Sequence, residues 1–195
     1  MVPFIGLTGG IGAGKSTALA ALEELGAAVV STDRIVHELY ETDEVRRAVT
    51  ERFGPDVAPS GAVDRAAVAR RAFATPDSRA WLEGLLWPLV GARMADWREG
   101  LERSDPPPKA AVVEVPLLFE ANMEGAFDAT IAVVAEEQLR AGRAAGRGHA
   151  ALDERAARQL TQSEKAERAT YVVINDGSVE ALRSELSGVL DKLGR

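Results

Sequence analysis

Gly9-Gly10-Ile11-Gly12-Ala13-Gly14-Lys15-Ser16 is the stretch that decides the fold, because it matches the pattern G-x-x-x-x-G-K-[ST] at every fixed position. The apolar segment Pro3–Thr8 comes directly before it and predicts a buried strand. Ser16–Leu25 follows with a leucine every third residue, which favours a helix, and Gly26 marks the helix end. Strand, glycine loop and helix, in this order, are the context that the pattern requires.

A loop of this kind is suited to binding phosphate. Glycines open backbone conformations that other residues avoid, and the loop amides form an anion-binding nest at the positive end of the helix. Lys15 can reach the β- and γ-phosphates of ATP, and Ser16 can hold Mg²⁺. The alternative is a glycine-rich turn followed by Lys-Ser by accident. We predict an ATP site formed by Gly9, Gly10, Ile11, Gly12, Ala13, Gly14, Lys15, Ser16 and Thr17.

Composition narrows the class of protein. The 195 residues include 23 basic and 30 acidic ones, a formal charge of −7, which argues against nucleic acid or an anionic membrane as partner. Disulfides, zinc-thiolate sites and thiol catalysis are excluded because cysteine is absent. The N-terminus lacks the basic region of a signal peptide, and no apolar run approaches the ~20 residues of a membrane span. We expect a cytoplasmic monomer that acts on a small molecule.

Four further apolar runs predict strands, and helical segments lie between them. These strands are Ala27–Ser31, Ala110–Val115, Asp128–Val134 and Tyr171–Ile174. The alternation predicts an α/β protein with a five-stranded parallel sheet covered by helices on both faces. With the glycine loop after the first strand, the expected fold is the three-layer sandwich of the P-loop nucleoside triphosphate hydrolase type.

A helical block of about fifty residues separates the second and third strands, whereas a crossover needs only about a dozen. Helices are predicted over Asp43–Phe53, Asp64–Phe73 and from Thr75 onward, with a break or kink at Pro88. We predict a nucleotide-binding core of residues 1–42, 104–135 and 166–195. Residues 43–103 would be a helical acceptor-binding insertion, and residues 136–165 an arginine-bearing lid.

Two acidic residues are predicted near the carboxyl ends of strands, the edge at which open parallel sheets bind ligands. Asp33 follows the second strand at a helix start, where it either caps the helix or takes part in catalysis. Glu114 lies near the end of the third strand, where it either orients magnesium and water or forms a salt bridge. Position alone leaves both alternatives open for each residue.

Arginines recur after the fourth strand. Arg140, Arg143 and Arg147 lie at i, i+3 and i+7 on one helix face, where like charges repel. After Gly148-His149 come Arg155, Arg158 and Gln162 on a second helical segment. In an acidic chain this local excess indicates an anionic partner and predicts a hinged lid over nucleotide phosphates. The alternative is a solvated basic face.

Several motifs together resemble the dephospho-coenzyme A kinase family over nearly the whole chain. They are Gly6-Leu7-Thr8-Gly9-Gly10-Ile11-Gly12, Asp33, Phe53-Gly54, Gly61-x-Val63-Asp64-Arg65, Glu114-Val115-Pro116-Leu117-Leu118-Phe119-Glu120, the spacing of Arg143, Arg147, Arg158 and Gln162, and Val173-Ile174-Asn175-x-Gly177. Two positions depart from the family pattern. Ser31 stands where an aspartate is common, and Trp87-Pro88 replaces the usual His-Pro.

The resemblance implies transfer of the γ-phosphate of ATP to the ribose 3′-hydroxyl of dephospho-coenzyme A, the final step of coenzyme A biosynthesis. It implies Lys15 and Asp33 as catalytic residues, with Asp33 taking the proton of the attacking hydroxyl and Ser16 ligating Mg²⁺. Arg143, Arg147 and Arg158 would clamp phosphates, Asn175 and Gly177 would lie by the adenine, and Thr8, Asp33, Arg65, Leu117 and Phe119 would contact the acceptor. A related kinase with another acceptor and a non-catalytic ATP-dependent switch remain as alternatives.

Overall fold

The computed structural model of the protein describes residues 1–145 and 159–194. The chain divides into two compact units, one of residues 1–31 and 100–195 and one of residues 32–99. We call them the sheet unit and the helical unit. Within the described residues the helices are α1 Lys15–Glu24, α2 Thr32–Tyr40, α3 Asp43–Phe53, α4 Arg65–Ala72, α5 Pro76–Glu102, α6 Glu137–Ala145, α7 Gln162–Arg168 and α8 Val179–Leu193.

The sheet unit is built on five strands, β1 Phe4–Gly9, β2 Ala28–Ser31, β3 Ala111–Glu114, β4 Ala129–Val134 and β5 Tyr171–Ile174. All neighbours are parallel, and the order across the sheet is β2-β3-β1-β4-β5. The connection from β3 to β4 crosses from one side of β1 to the other. The carboxyl end of β1 therefore lies at the switch point, where open parallel sheets bind their ligands. The predicted α/β class is confirmed.

The two faces of β1 pack on different partners because successive side chains alternate. Ile5 and Leu7 are fully buried in one apolar cluster with α1 and α8. On the other face Phe4 stacks on Phe127 with ring centroids 4.9 Å apart. A methyl group on Gly6 would lie 2.5 Å from Leu118, so that position has no room for a side chain. Helices or turns thus cover both faces of β1, which explains its continuous apolar run.

The helical unit contains α2, α3, α4 and most of α5. Side chains cap two of its helices: Thr42 accepts from the amide of Val45, and Asp64 accepts from those of Ala66 and Ala67. Phe53 packs edge to face on Trp81 at 5.3 Å. The unit runs from residue 32 to residue 99 and so includes α2. The acceptor-binding insertion of residues 43–103 stays a prediction.

The sequence predicts a break or a kink at Pro88, and the break is not observed, because α5 runs through this position from Pro76 to Glu102. Proline removes one hydrogen bond and crowds the carbonyl four residues earlier, which here belongs to Gly84. The stripe Leu82, Leu86 and Val90 is buried along the same stretch, so packing holds the helix together. In residues 1–145 and 159–194 no helix is long and apolar enough to cross a membrane.

Candidate active site

The glycine loop joins β1 to α1 through Gly10–Gly14. Gly12 and Gly14 have φ angles of 77° and 91°, in the left-handed region that residues with side chains rarely adopt. The amide of Ala13 donates to the carbonyl of Gly10 at 3.1 Å and closes the loop. The first amides of α1, which have no acceptor within a helix, follow directly. This arrangement is the anion-binding helix N-terminus that the sequence pattern predicts.

Asn175 holds this loop from the end of β5. Its Nδ2 donates to the carbonyl of Ala13 at 2.9 Å, and the residue is only 5% exposed. A methyl group at position 14 would overlap that amide nitrogen. Two features therefore require glycine at position 14: its left-handed backbone conformation and the nearby side-chain amide of Asn175.

The ammonium group of Lys15 lies against the loop itself. It donates to the carbonyls of Gly9 at 3.0 Å and Gly10 at 3.3 Å. A phosphate oxygen is a stronger acceptor than a neutral carbonyl, because a hydrogen bond between two charges is about twice as strong. Ser16, the next residue, is exposed. The loop therefore presents a cation and an exposed hydroxyl to whatever binds beside it.

A cavity of about 330 Å³ opens beside the loop. Arg143 of α6 reaches it and donates from Nη1 to the carbonyl of Asn175 at 3.2 Å. The cavity brings together three distant stretches of sequence, and most of its lining belongs to the predicted ATP site. The lining residues are Gly12, Gly14, Ser16, Thr17, Arg143, Asn175, Gly177 and Val179.

The helical unit has a cavity of its own, of about 570 Å³. Arg65 lines it, with Nη1 3.2 Å from Nδ1 of His37. Arginine can only donate, so Nδ1 of His37 accepts in this geometry. Burial raises the pKa of Tyr40, also in the lining, to about 12, although the charge of Arg65 lowers it in part. The wall contains two arginines, Arg46 and Arg65, and two acids, Glu41 and Asp64, so an anionic group would have to bind at the arginines.

Asp33 is the second residue of α2 and comes two positions after the end of β2. A carboxylate in the first turn of a helix is stabilised by the helix dipole. This position agrees with the capping interpretation and with the catalytic one. The catalytic role of Asp33 therefore stays a prediction.

Comparison with known proteins decides the family. The sequence profile of dephospho-CoA kinase matches residues 3–181. A dephospho-CoA kinase of Deinococcus radiodurans is 40% identical, over 97% of this chain and 91% of its own length. One of Moorella thermoacetica is 37% identical, over 98% of this chain and 92% of its own length.

The chain belongs to the dephospho-CoA kinase family.

Solved structures share the fold of this chain. The protein TT1252 of Thermus thermophilus, 35% identical, superposes with a TM-score of 0.78 and covers 98% of both chains. A dephospho-CoA kinase of Campylobacter jejuni has a TM-score of 0.71 at 24% identity, over 100% of this chain and 98% of its own. A shikimate kinase of Bacteroides thetaiotaomicron shares the fold alone, at 15% identity and a TM-score of 0.56. Family membership makes the protein an ATP-dependent phosphotransferase of coenzyme A biosynthesis.

Two residues predicted to touch the acceptor lie in the interior. Thr8 is 0% exposed and Phe119 is 1% exposed, so neither offers a surface to a substrate. The hydroxyl of Thr8 donates to the carbonyl of Pro116 at 3.3 Å. Leu117 is half-buried and stays a candidate. The acceptor contacts that the resemblance implies for Thr8 and Phe119 stay predictions, although both side chains are buried in this structure.

Part of the predicted lid lies outside the described residues, namely Arg147, Arg155 and Arg158. Gln162 belongs to α7, where its side-chain amide pairs with the backbone of Ala135 at 2.8 and 2.9 Å. That pairing ties α7 to the end of β4. Within residues 1–145 and 159–194 no group of three or more His, Asp or Glu side chains is placed to hold a metal ion.

Sequence reasoning missed Arg140 as a site residue, although it recognised the basic face of α6. Nε of Arg140 donates to the carbonyl of Ile11 at 3.0 Å, and Nη1 pairs with Glu137 at 2.7 Å. The side chain is only 20% exposed. The sequence contained one indication of this contact: Arg140 lies three residues before Arg143, so both side chains lie on the same face of the helix. Lys165 was missed as well, and nothing in its local sequence marks it.

Proposed function

We propose that the chain transfers the γ-phosphate of ATP to the ribose 3′-hydroxyl of dephospho-coenzyme A with the residues assigned below. The observation that carries this proposal is the cavity beside the glycine loop, where Ser16, Arg143 and Asn175 converge. In the reaction the bond between the γ-phosphorus and the β–γ bridging oxygen breaks and a bond to the 3′-oxygen forms. ADP leaves, and the hydroxyl proton passes to the carboxylate of Asp33.

The loop supplies placement and charge. Phosphoryl transfer needs little covalent chemistry from the protein, so catalysis rests on positioning and electrostatic stabilisation. Lys15 would exchange its two loop carbonyls for phosphate oxygens, and Arg143 would neutralise charge from the α6 side. Asn175 and Gly177 would lie by the adenine. Arg147 and Arg158 are proposed as further phosphate ligands.

Ser16 fits the magnesium role by the chemistry of its side chain. The ion takes oxygen ligands and is usually held by few protein groups together with water and substrate phosphates. The exposed hydroxyl of Ser16 at the cavity meets that requirement. When bound, the ion would neutralise phosphate charge. Glu114, paired in register with Leu7 of β1, is the second residue proposed to orient it or its water.

The helical unit would hold the acceptor. Dephospho-coenzyme A carries a diphosphate and a long, partly apolar arm. Arg65 and Arg46 in the wall of the 570 Å³ cavity suit the diphosphate, since guanidinium groups bind phosphate with two hydrogen bonds. Val63 and Tyr40 supply apolar surface for the arm. We also propose a cytoplasmic monomer, for which sedimentation of the purified protein is the test.

An acceptor panel tests the proposal. The protein is mixed with Mg²⁺-ATP and, in turn, dephospho-coenzyme A, nucleosides, nucleotides and shikimate, and ADP release and product mass are followed. We expect ADP release that depends on dephospho-coenzyme A and a product heavier by one phosphoryl group. Release that depends on a different acceptor would replace the substrate assignment. ATP binding without ADP release for any acceptor would favour a non-catalytic switch. The Lys15→Met variant is the control and gives the background rate of ADP release.

A further inference from the structure

Lys165 is a fully buried lysine in the sheet unit. Its side chain is 1% exposed, and that of its partner Glu120 is 12% exposed. Lysine is almost never buried to this extent unless it is paired, because removing its charge from water is costly. Burial accordingly lowers the pKa of Lys165, while the hydrogen bond and charge of Glu120 act in the opposite direction.

Every proton of this ammonium group has an acceptor. Nζ donates to the carbonyl of Pro116 at 2.8 Å and to the hydroxyl of Thr8 at 3.3 Å. It reaches both carboxylate oxygens of Glu120, at 2.9 and 3.2 Å. Thr8 in turn donates to the same carbonyl of Pro116. A lysine offers three donors from one point, and here each is used on a different group.

These acceptors come from segments that border the active site. Thr8 is the last residue before Gly9, where the glycine-loop motif begins, and Pro116 and Glu120 delimit the turn after β3 that contains Leu117. Glu120 also accepts from the amide of Leu160 at 2.7 Å. One buried side chain of α7 therefore joins the end of β1 to the turn after β3.

We propose that Lys165 is a positioning residue for phosphoryl transfer, which fixes the Pro116–Glu120 turn, with its candidate acceptor contact Leu117, against the end of β1. The acceptor part of this statement rests on the proposed function. Stability alone is a weak explanation, because a buried ion pair is often no more stabilising than an apolar pair of similar volume. An apolar side chain cannot hold a carbonyl and a hydroxyl in fixed directions. Lys165 itself does not touch substrate, since it has no exposed surface.

Three variants separate positioning from stability. Lys165→Met leaves Glu120 buried without its cation, so we expect a lower melting temperature. Lys165→Met combined with Glu120→Gln removes both charges and should recover the melting temperature, because the glutamine oxygen can still accept from Leu160. Lys192→Met, an exposed lysine on α8, is the matched control. Each variant is measured for ATP affinity by titration, for kcat and KM with dephospho-coenzyme A, and for amide exchange over residues 111–123.

In the double variant we expect kcat/KM for dephospho-coenzyme A to stay down by ~10–10²-fold, since a misplacement of about 1 Å has that effect. ATP affinity should stay close to wild type, and amides of residues 115–123 should exchange faster. Wild-type kcat/KM in the double variant, or a parallel loss of ATP affinity, overturns the proposal. If the wild type itself does not use dephospho-coenzyme A, the proposed function fails. Amide exchange in the double variant then tests the structural part of the proposal. Faster exchange of residues 115–123 supports a role of Lys165 in fixing the turn, and unchanged exchange rejects that role.

Discussion

Gly14 shows how much of the nucleotide site depends on a single absent side chain. Its φ of 91° and the Asn175 amide beside it both exclude a methyl group. We expect Gly14→Ala to weaken ATP binding by about tenfold or more, because a left-handed alanine costs roughly 1–2 kcal/mol before any displacement of Asn175. Titration calorimetry with ATP measures the loss.

Gly188 provides the matched control for that substitution. It lies inside α8, and no atom comes within 4 Å of the position that a methyl group would take there. Alanine at this position should raise the free energy of unfolding by roughly 0.5–1 kcal/mol, because glycine weakens a helix interior. Equal effects of the two substitutions on ATP affinity would contradict the specific role of Gly14.

Asp33 is the residue whose two interpretations differ most in their kinetics. If it accepts the proton of the attacking hydroxyl, Asp33→Asn should lower kcat by ~10²–10⁴, the usual range for a general base, with ATP affinity kept. If it serves the helix alone, the variant should lose stability at α2 and keep its turnover. Steady-state kinetics together with thermal unfolding separates the outcomes, and Asp191→Asn on the exposed face of α8 controls for the loss of one charge.

At the scale of an element, α7 begins with a capping box. The hydroxyl and amide of Thr161 donate to Glu164 at 2.7 and 2.8 Å, and the Glu164 amide donates back to the hydroxyl. These hydrogen bonds lower the pKa of Glu164 below its ordinary value of 4.5. A carboxylate whose pKa is lowered by folding contributes stability above the unfolded value, and this contribution is lost as pH falls through the folded value.

Glu164→Gln should therefore reduce stability at neutral pH, and the difference from wild type should shrink as pH falls below about 4.5. Urea unfolding at a series of pH values provides the measurement. Glu167→Gln, an exposed acid of α7 outside the capping box, is the control. A difference that stays constant down to low pH would mean that the charge of Glu164 is not what stabilises the cap.

Elements with a strong local pattern were predicted well. The bounds of α3 and β5 agree with those expected from the sequence, since the periodicity that predicts them is a property of the local sequence. The break that the sequence allows at Pro88 does not occur, because the local cost of proline is overcome by the buried stripe of α5. Lys165 and Arg140 were missed because their acceptors, Pro116 and Ile11, are near them only after the strands are ordered β2-β3-β1-β4-β5. The acceptor contact of Thr8 comes from the family resemblance and stays a prediction, because burial of its hydroxyl against Pro116 could not be read from the local sequence.

For the whole molecule, the two units offer a test of where each substrate binds. A ligand at one hundred times its Kd stabilises the folded state by about 2.7 kcal/mol. All three tryptophans, Trp81, Trp87 and Trp97, belong to the helical unit, so their fluorescence reports that unit. We expect dephospho-coenzyme A to raise the melting temperature of the helical unit, which tryptophan fluorescence reports. We expect ATP to raise the melting temperature of the sheet unit, which calorimetry measures.

Variants give this test its controls. Arg65→Ala should abolish the shift caused by dephospho-coenzyme A and keep the shift caused by ATP, whereas Lys15→Met should do the reverse. Loss of both shifts in either variant would mean that one site holds both ligands or that the two units unfold together.

The hydrogen bond from Asn175 to the carbonyl of Ala13 spans 162 positions of sequence. The glycine-rich turn leaves the ribosome long before the amide that shapes it, because 162 positions separate the two. A nascent polypeptide that stops short of β5 thus carries the complete motif without its support. The ability to hold nucleotide therefore appears only after β5 has joined the sheet.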